Sequence, residues 1–130
     1  MIRVLVADDS IAVREGLMSL LGAHPEFEIV GAAGDGLEAI RMTHRLAPDL
    51  VVMDAQMPRL DGIEATRRIK RAFPMVGVLF FSVFADYVEA GLAAGADGYL
   101  TKDCEPDQLV AKASEIVAGI RSKAEERGRS

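Results

Sequence analysis

Tryptophan is missing from this 130-residue chain, and cysteine occurs once, at Cys104. A lone thiol excludes an intrachain disulfide framework and fits a reducing, cytoplasmic setting, which is the expected location. Long hydrophobic runs are missing too. No stretch approaches the roughly 18 apolar residues of a membrane span, so no membrane partner is expected. The opening MIRVLVADDS meets acid after a short apolar run, which is too early for a secretory signal. A basic surplus is also lacking. With a net charge of −5 the domain has no electrostatic footing for nucleic acid, so DNA is expected only through some other domain. Internal repeats and low-complexity tracts are absent.

What is present has an alternating order. Half the residues are hydrophobic, enough for one domain with a real core. Five short apolar runs, 2–7, 27–33, 50–55, 76–82 and 97–101, read as strands, and the first, third and fourth are nearly continuous in large apolar residues. Strands buried on both faces of a parallel sheet have that composition. Helical periodicity fills the gaps. Ser10 is placed to cap the first helix, Asp35 with Glu38 and Asp61 with Glu64 resemble capping boxes, and a weaker helix spans about 86–94. Pro106 opens the last helix, where Leu109, Val110, Ala113, Ile116, Val117 and Ile120 form one stripe. This alternation predicts a flavodoxin-like, doubly wound (βα)5 fold with strand order 2-1-3-4-5, occupying residues 1–120. Residues 121–130, RSKAEERGRS, read as a polar helix end or a linker.

Ligands of such sheets bind beyond the carboxyl ends of the strands. Asp8 and Asp9 stand at the end of the first strand, Asp54 at the third, Ser82 at the fourth and Lys102 after the fifth. Adjacent like charges are unfavourable unless they are solvated or a cation holds them. Oxygen-only ligation by a few carboxylates suits Mg²⁺. Asp54 is then either a further ligand or a nucleophile, because a carboxylate can attack phosphorus to give an aspartyl phosphate. Lys102 and Ser82 are the groups available to bind the phosphoryl oxygens. Crowding among the three acids predicts a slight gain of metal-free stability when either Asp8 or Asp9 is removed.

Four stretches carry a resemblance: ADDS (7–10), VVMDAQMPRLDG (51–62), FFSVFAD (80–86) and GADGYLTKD (95–103). Over about residues 1–120 the chain resembles the receiver domain of bacterial two-component response regulators. The resemblance implies that Asp54 is the phosphoacceptor. It implies Mg²⁺ as cofactor, with Asp9 as direct ligand, Asp8 acting largely through water, and Asp54 and the backbone carbonyl of Gln56 completing the shell. Ser82 and Tyr99 take the switch roles, and Gln56 and Phe84 flank the path of hydrolytic water. The bulk of Phe84 predicts slow loss of the phosphoryl group. The implied partners are a sensor histidine kinase or phosphotransfer protein and, after phosphorylation, a second copy of the chain. The message is expected on the face around residues 86–112, toward an output that is transcriptional.

Asp103 stands where many receivers have proline, and GYLTKD looks more like receivers that precede LuxR-type helix-turn-helix domains. The chain is then either a stand-alone receiver or one part of a longer regulator. Two other classes fit poorly. Haloacid-dehalogenase phosphatases need a DxD-type spacing that ADDS lacks, and a flavin site needs a Ser/Thr-rich phosphate loop and more rings than this chain has. The reading is therefore of a switch that catalyses only its own phosphoryl transfer and slow dephosphorylation, and not of an enzyme. Cys104 is expected to be a structural bystander, and His24 and His44 to be solvated.

Overall fold

The computed structural model describes residues 1–129. In chain order the elements are β1 (Ile2–Ala7), α1 (Ile11–Gly22), β2 (Phe27–Ala33), α2 (Gly36–Leu46), β3 (Leu50–Met53), α3 (Gly62–Ala72), β4 (Gly77–Ser82), a single 3-10 turn (Ala85–Tyr87), α4 (Val88–Ala93), β5 (Gly98–Thr101) and α5 (Pro106–Arg129). The strands form one parallel sheet in the order β2-β1-β3-β4-β5, as expected. Successive strand residues point to opposite faces, so the sheet feeds two cores. Val4, Val6, Val52, Leu79 and Phe81 pack against Leu17 and Leu21 of α1 and Leu109, Ala113 and Val117 of α5. Leu5, Ala7, Val51, Met53, Val78 and Phe80 pack on the other side, against Ala39 of α2 and Ala65 and Ile69 of α3.

The capping residues act where expected. Ser10 Oγ accepts from the Val13 N–H at 3.3 Å, and the Asp35 and Asp61 carboxylates accept from the Glu38 and Glu64 N–H groups at 2.8 Å. Each satisfies a donor that the first helical turn leaves unpaired. The reciprocal half of each box is altered. Glu38 reaches back to the Gly34 N–H at 3.4 Å, and Glu64 pairs forward with Arg67 and Arg68.

Four boundaries differ from expectation. β3 stops at Met53 because the chain turns after it, with the Ala55 carbonyl accepting from the Gly62 N–H at 2.8 Å. β4 and β5 each begin one residue later than the apolar runs. The weak helix starts as a 3-10 turn and is α-helical only over Val88–Ala93, because neither Phe84 nor Tyr87 provides a side-chain cap. Of the two readings of the polar stretch after Ile120, helix end and linker, the described residues follow the first: α5 continues as helix through Arg129, since the Lys, Glu, Ala and Arg there are all good helix formers.

Candidate functional site

Strand register builds the site. Ala7 pairs with Met53, so Asp8 and Asp54 are the next residues on two adjacent strands and emerge side by side. Ser82 pairs with Thr101, which makes Lys102 the first residue beyond β5. The backbone holds this edge firmly. The Asp54 N–H donates to the Ala7 carbonyl at 2.9 Å, the Asp8 N–H to the Ala33 carbonyl at 3.0 Å and the Lys102 N–H to the Ser82 carbonyl at 2.9 Å.

Asp8 is 1% exposed and Asp54 7%, whereas Asp9 faces solvent. Lys102 Nζ lies 2.7 Å from Asp8 Oδ2 and 3.4 Å from Asp54 Oδ1, bridging the two buried carboxylates. Asp8 Oδ1 also accepts from the Ser10 N–H at 2.9 Å, and Arg14 Nη1 donates to the Asp8 carbonyl at 2.6 Å. Asp8 is therefore compensated on both oxygens, and the small stability gain expected from removing it gives way to a loss. A buried carboxylate with a lysine partner and a backbone donor is costly to delete.

One carboxylate oxygen from each of Asp8, Asp9 and Asp54 lies within 4.8 Å of the others. All the donors are oxygen, and a single lysine leaves the group with net negative charge. This donor set fits a small hard divalent cation.

Burial, and next the Asp8 charge, raise the Asp54 carboxyl from its usual 3.8 to about 6, against the opposing pull of Lys102 and of a backbone hydrogen bond from Gln56. The folded chain thus binds this proton more tightly than the unfolded chain does. The stability contributed by the protonated carboxyl is present in full below about pH 4 and is lost as pH rises through about 6. In metal-free protein, Asp54→Asn is expected to raise stability at pH 7 by about 1–2 kcal/mol, a figure discounted for the open side of the cleft. The gain should fade toward pH 4. Thermal melts from pH 4 to 7.5 check this, and a variant gain that grows toward acid would contradict it.

The structure brings Asp8, Asp9, Asp54 and Lys102 together and places the remaining predicted residues around them. Ser82 is buried, and its Oγ accepts from the Phe84 N–H at 3.3 Å. Phe84 is 54% exposed, and its ring meets Tyr87 edge-on with centroids 6.3 Å apart. Gln56 Nε2 donates to the Tyr87 hydroxyl at 2.6 Å. Tyr99 is 44% exposed and lines a groove with Leu92, Leu100 and Lys112, so it faces outward and not into the site. Sequence reasoning missed Tyr87, whose link to Gln56 spans 31 residues and follows no periodic signal. Cys104 packs partly against the α1/α5 core, and burial pushes its thiol above the usual value, which suits a bystander. His44 is exposed as expected, while His24 is half-buried against Phe27.

Residues 4–114 match the family described as the response regulator receiver domain. The chain is 42% identical over 124 residues to the transcriptional regulatory protein LiaR of Bacillus subtilis, a match covering 94% of this chain and 56% of that protein. It is 39% identical over 119 residues to the transcriptional regulatory protein DegU of Brevibacillus brevis, covering 90% of this chain and 50% of the relative. The chain thus spans about half the length of these curated relatives. Among solved structures, a LuxR-family two-component response regulator from Aurantimonas sp. superimposes with a TM-score of 0.87 at 36% identity over 98% of both chains. No helix among the described residues is long and apolar enough to cross a membrane.

Proposed function

The chain belongs to the response regulator receiver family, a signalling domain and not an enzyme class, and on that premise we propose that it is a phosphorylation switch in which Asp54 accepts a phosphoryl group from a histidine of a sensor kinase or phosphotransfer protein. The observation that carries this reading is the Asp54 carboxylate just beyond the carboxyl end of β3, flanked by Asp8 and reached by Lys102. The Asp54 carboxylate attacks phosphorus, a P–O bond forms, and the donor histidine leaves. Mg²⁺, held by Asp8, Asp9, Asp54 and the Gln56 carbonyl, would supply positive charge against the phosphoryl oxygens. Lys102 stabilises another of those oxygens through its ammonium group.

The switch follows from Ser82. Its hydroxyl is engaged with the Phe84 N–H, so turning toward a phosphoryl oxygen gives up that bond and loosens the loop before α4. A phosphoryl group brings about two negative charges and new acceptors to draw the hydroxyl over. Tyr99 then has room to turn inward from its exposed position, and the face around residues 86–112 changes shape. That face would carry the message to a second copy of the chain or to an output, which the LiaR and DegU likeness suggests is transcriptional.

The test is intact-mass measurement after incubation with a small acyl phosphate. One added phosphoryl group is expected with Mg²⁺ present, and none with a chelator or in Asp54→Asn. Equal gain in Asp54→Asn overturns the assignment.

A further inference from the structure

Gln56 sits two residues beyond the proposed phosphoacceptor, and its side-chain amide has the chemistry to orient a hydrolytic water. The structure directs that amide elsewhere. Its Nε2 donates to the Tyr87 hydroxyl at 2.6 Å. The two residues line a cavity of about 280 Å³ together with Ala55, Met57, Asp61 and Ile63. None of Asp8, Asp9, Asp54 or Lys102 lines that cavity, whose other walls come from the turn after β3 and the start of α3. Tyr87 is anchored in turn. Its 3-10 turn precedes α4, and its ring meets Phe84 edge-on.

We propose that Tyr87 is a positioning residue that sets the lifetime of the phosphorylated state by tethering the Gln56 amide away from the phosphoryl group. This rests on Asp54 being the phosphoacceptor. Hydrolysis forms a bond between a water oxygen and phosphorus and breaks the bond from phosphorus to the Asp54 oxygen. The Asp54 carboxylate is regenerated, inorganic phosphate departs, and the surplus proton passes to phosphate or solvent. A free Gln56 amide accepts from that water through Oε1 and aligns it for attack. A tethered amide does not.

Tyr87→Phe removes the hydroxyl and keeps the ring against Phe84. Loss of one neutral hydrogen bond is expected to shorten the dephosphorylation half-life about three- to tenfold. In a Gln56→Ala background the same substitution should have no effect, because the amide it releases is gone. An unchanged or longer half-life in Tyr87→Phe overturns the proposal. So does equal shortening in the Gln56→Ala background, which would mean general loosening of the loop. A second readout needs no phosphoryl group. The Gln56 side-chain amide resonances of unphosphorylated protein should shift in Tyr87→Phe and stay in place in Phe84→Leu. Unmoved Gln56 resonances in Tyr87→Phe overturn the tether even if Asp54 proves not to be the acceptor, and an intact tether with an unmodified Asp54 indicts only the acceptor assignment.

Discussion

Gly62→Ala is expected to cost about 3 kcal/mol or more and to lower the melting temperature by about ten degrees, and to remove the phosphoryl acceptance proposed for Asp54. A methyl group at position 62 would lie 1.7 Å from the Asp54 carbonyl oxygen and 2.8 Å from its carbon. Both are backbone atoms of the proposed phosphoacceptor, so no flexible side chain can yield. The Asp54 N–H is bonded to β1, and the Gly62 N–H to the Ala55 carbonyl, so relief must tear one of these anchors. Gly16→Ala is the matched control. Its added methyl meets nothing within 4 Å in the middle of α1, and the substitution should stabilise by about 0.5–1 kcal/mol. Thermal melting with intact-mass measurement of acyl-phosphate reactions reads both. A Gly62→Ala protein that melts with the parent and is fully phosphorylated would show that the β3–α3 turn is not the anchor of the site.

Lys102→Met should produce the second large effect. The ammonium bridges a carboxylate that is 1% exposed to one that is 7% exposed. Removing it leaves two buried like charges, at a cost of about 2–4 kcal/mol at neutral pH. Lys102 is also what holds the Asp54 carboxyl down, so its loss moves that group further up from about 6. Protonation then relieves the repulsion, and the deficit should shrink as pH falls toward 5. A divalent cation should raise the melting temperature of Lys102→Met more than that of the parent, because the cluster has lost its internal countercharge. A variant as stable as the parent at pH 7 would show that the lysine does not compensate the acids.

Burial periodicity made most of the fold legible. Strands buried on both faces announce themselves as unbroken apolar runs, and the side chains of Ser10, Asp35 and Asp61 mark helix starts chemically. Where a boundary depends on hydrogen bonds across the fold, the local pattern is silent. β3 stops at Met53 because Gly62 captures the Ala55 carbonyl, and nothing in residues 50–55 records that. The 3-10 start of α4 was obscure because it lacks caps, whereas residues 121–129 left helix end and linker both open because they lack apolar residues while keeping strong helix formers. The cluster itself was readable because strand ends are predictable places. The outward turn of Tyr99 and the Gln56–Tyr87 bond are tertiary facts that spacing does not encode.

The lysine bridge has a consequence for biosynthesis. Asp8 and Lys102 are 94 residues apart, and Lys102 follows β5, the last strand made and an edge of the sheet. Translation therefore releases every acid of the cluster well before the base that balances them. Until β5 zips onto β4, the two buried carboxylates lack their lysine countercharge. A chain that stops short of β5 carries the whole acidic cluster without its base, so a charge-balanced cluster is itself a certificate that the sheet has closed.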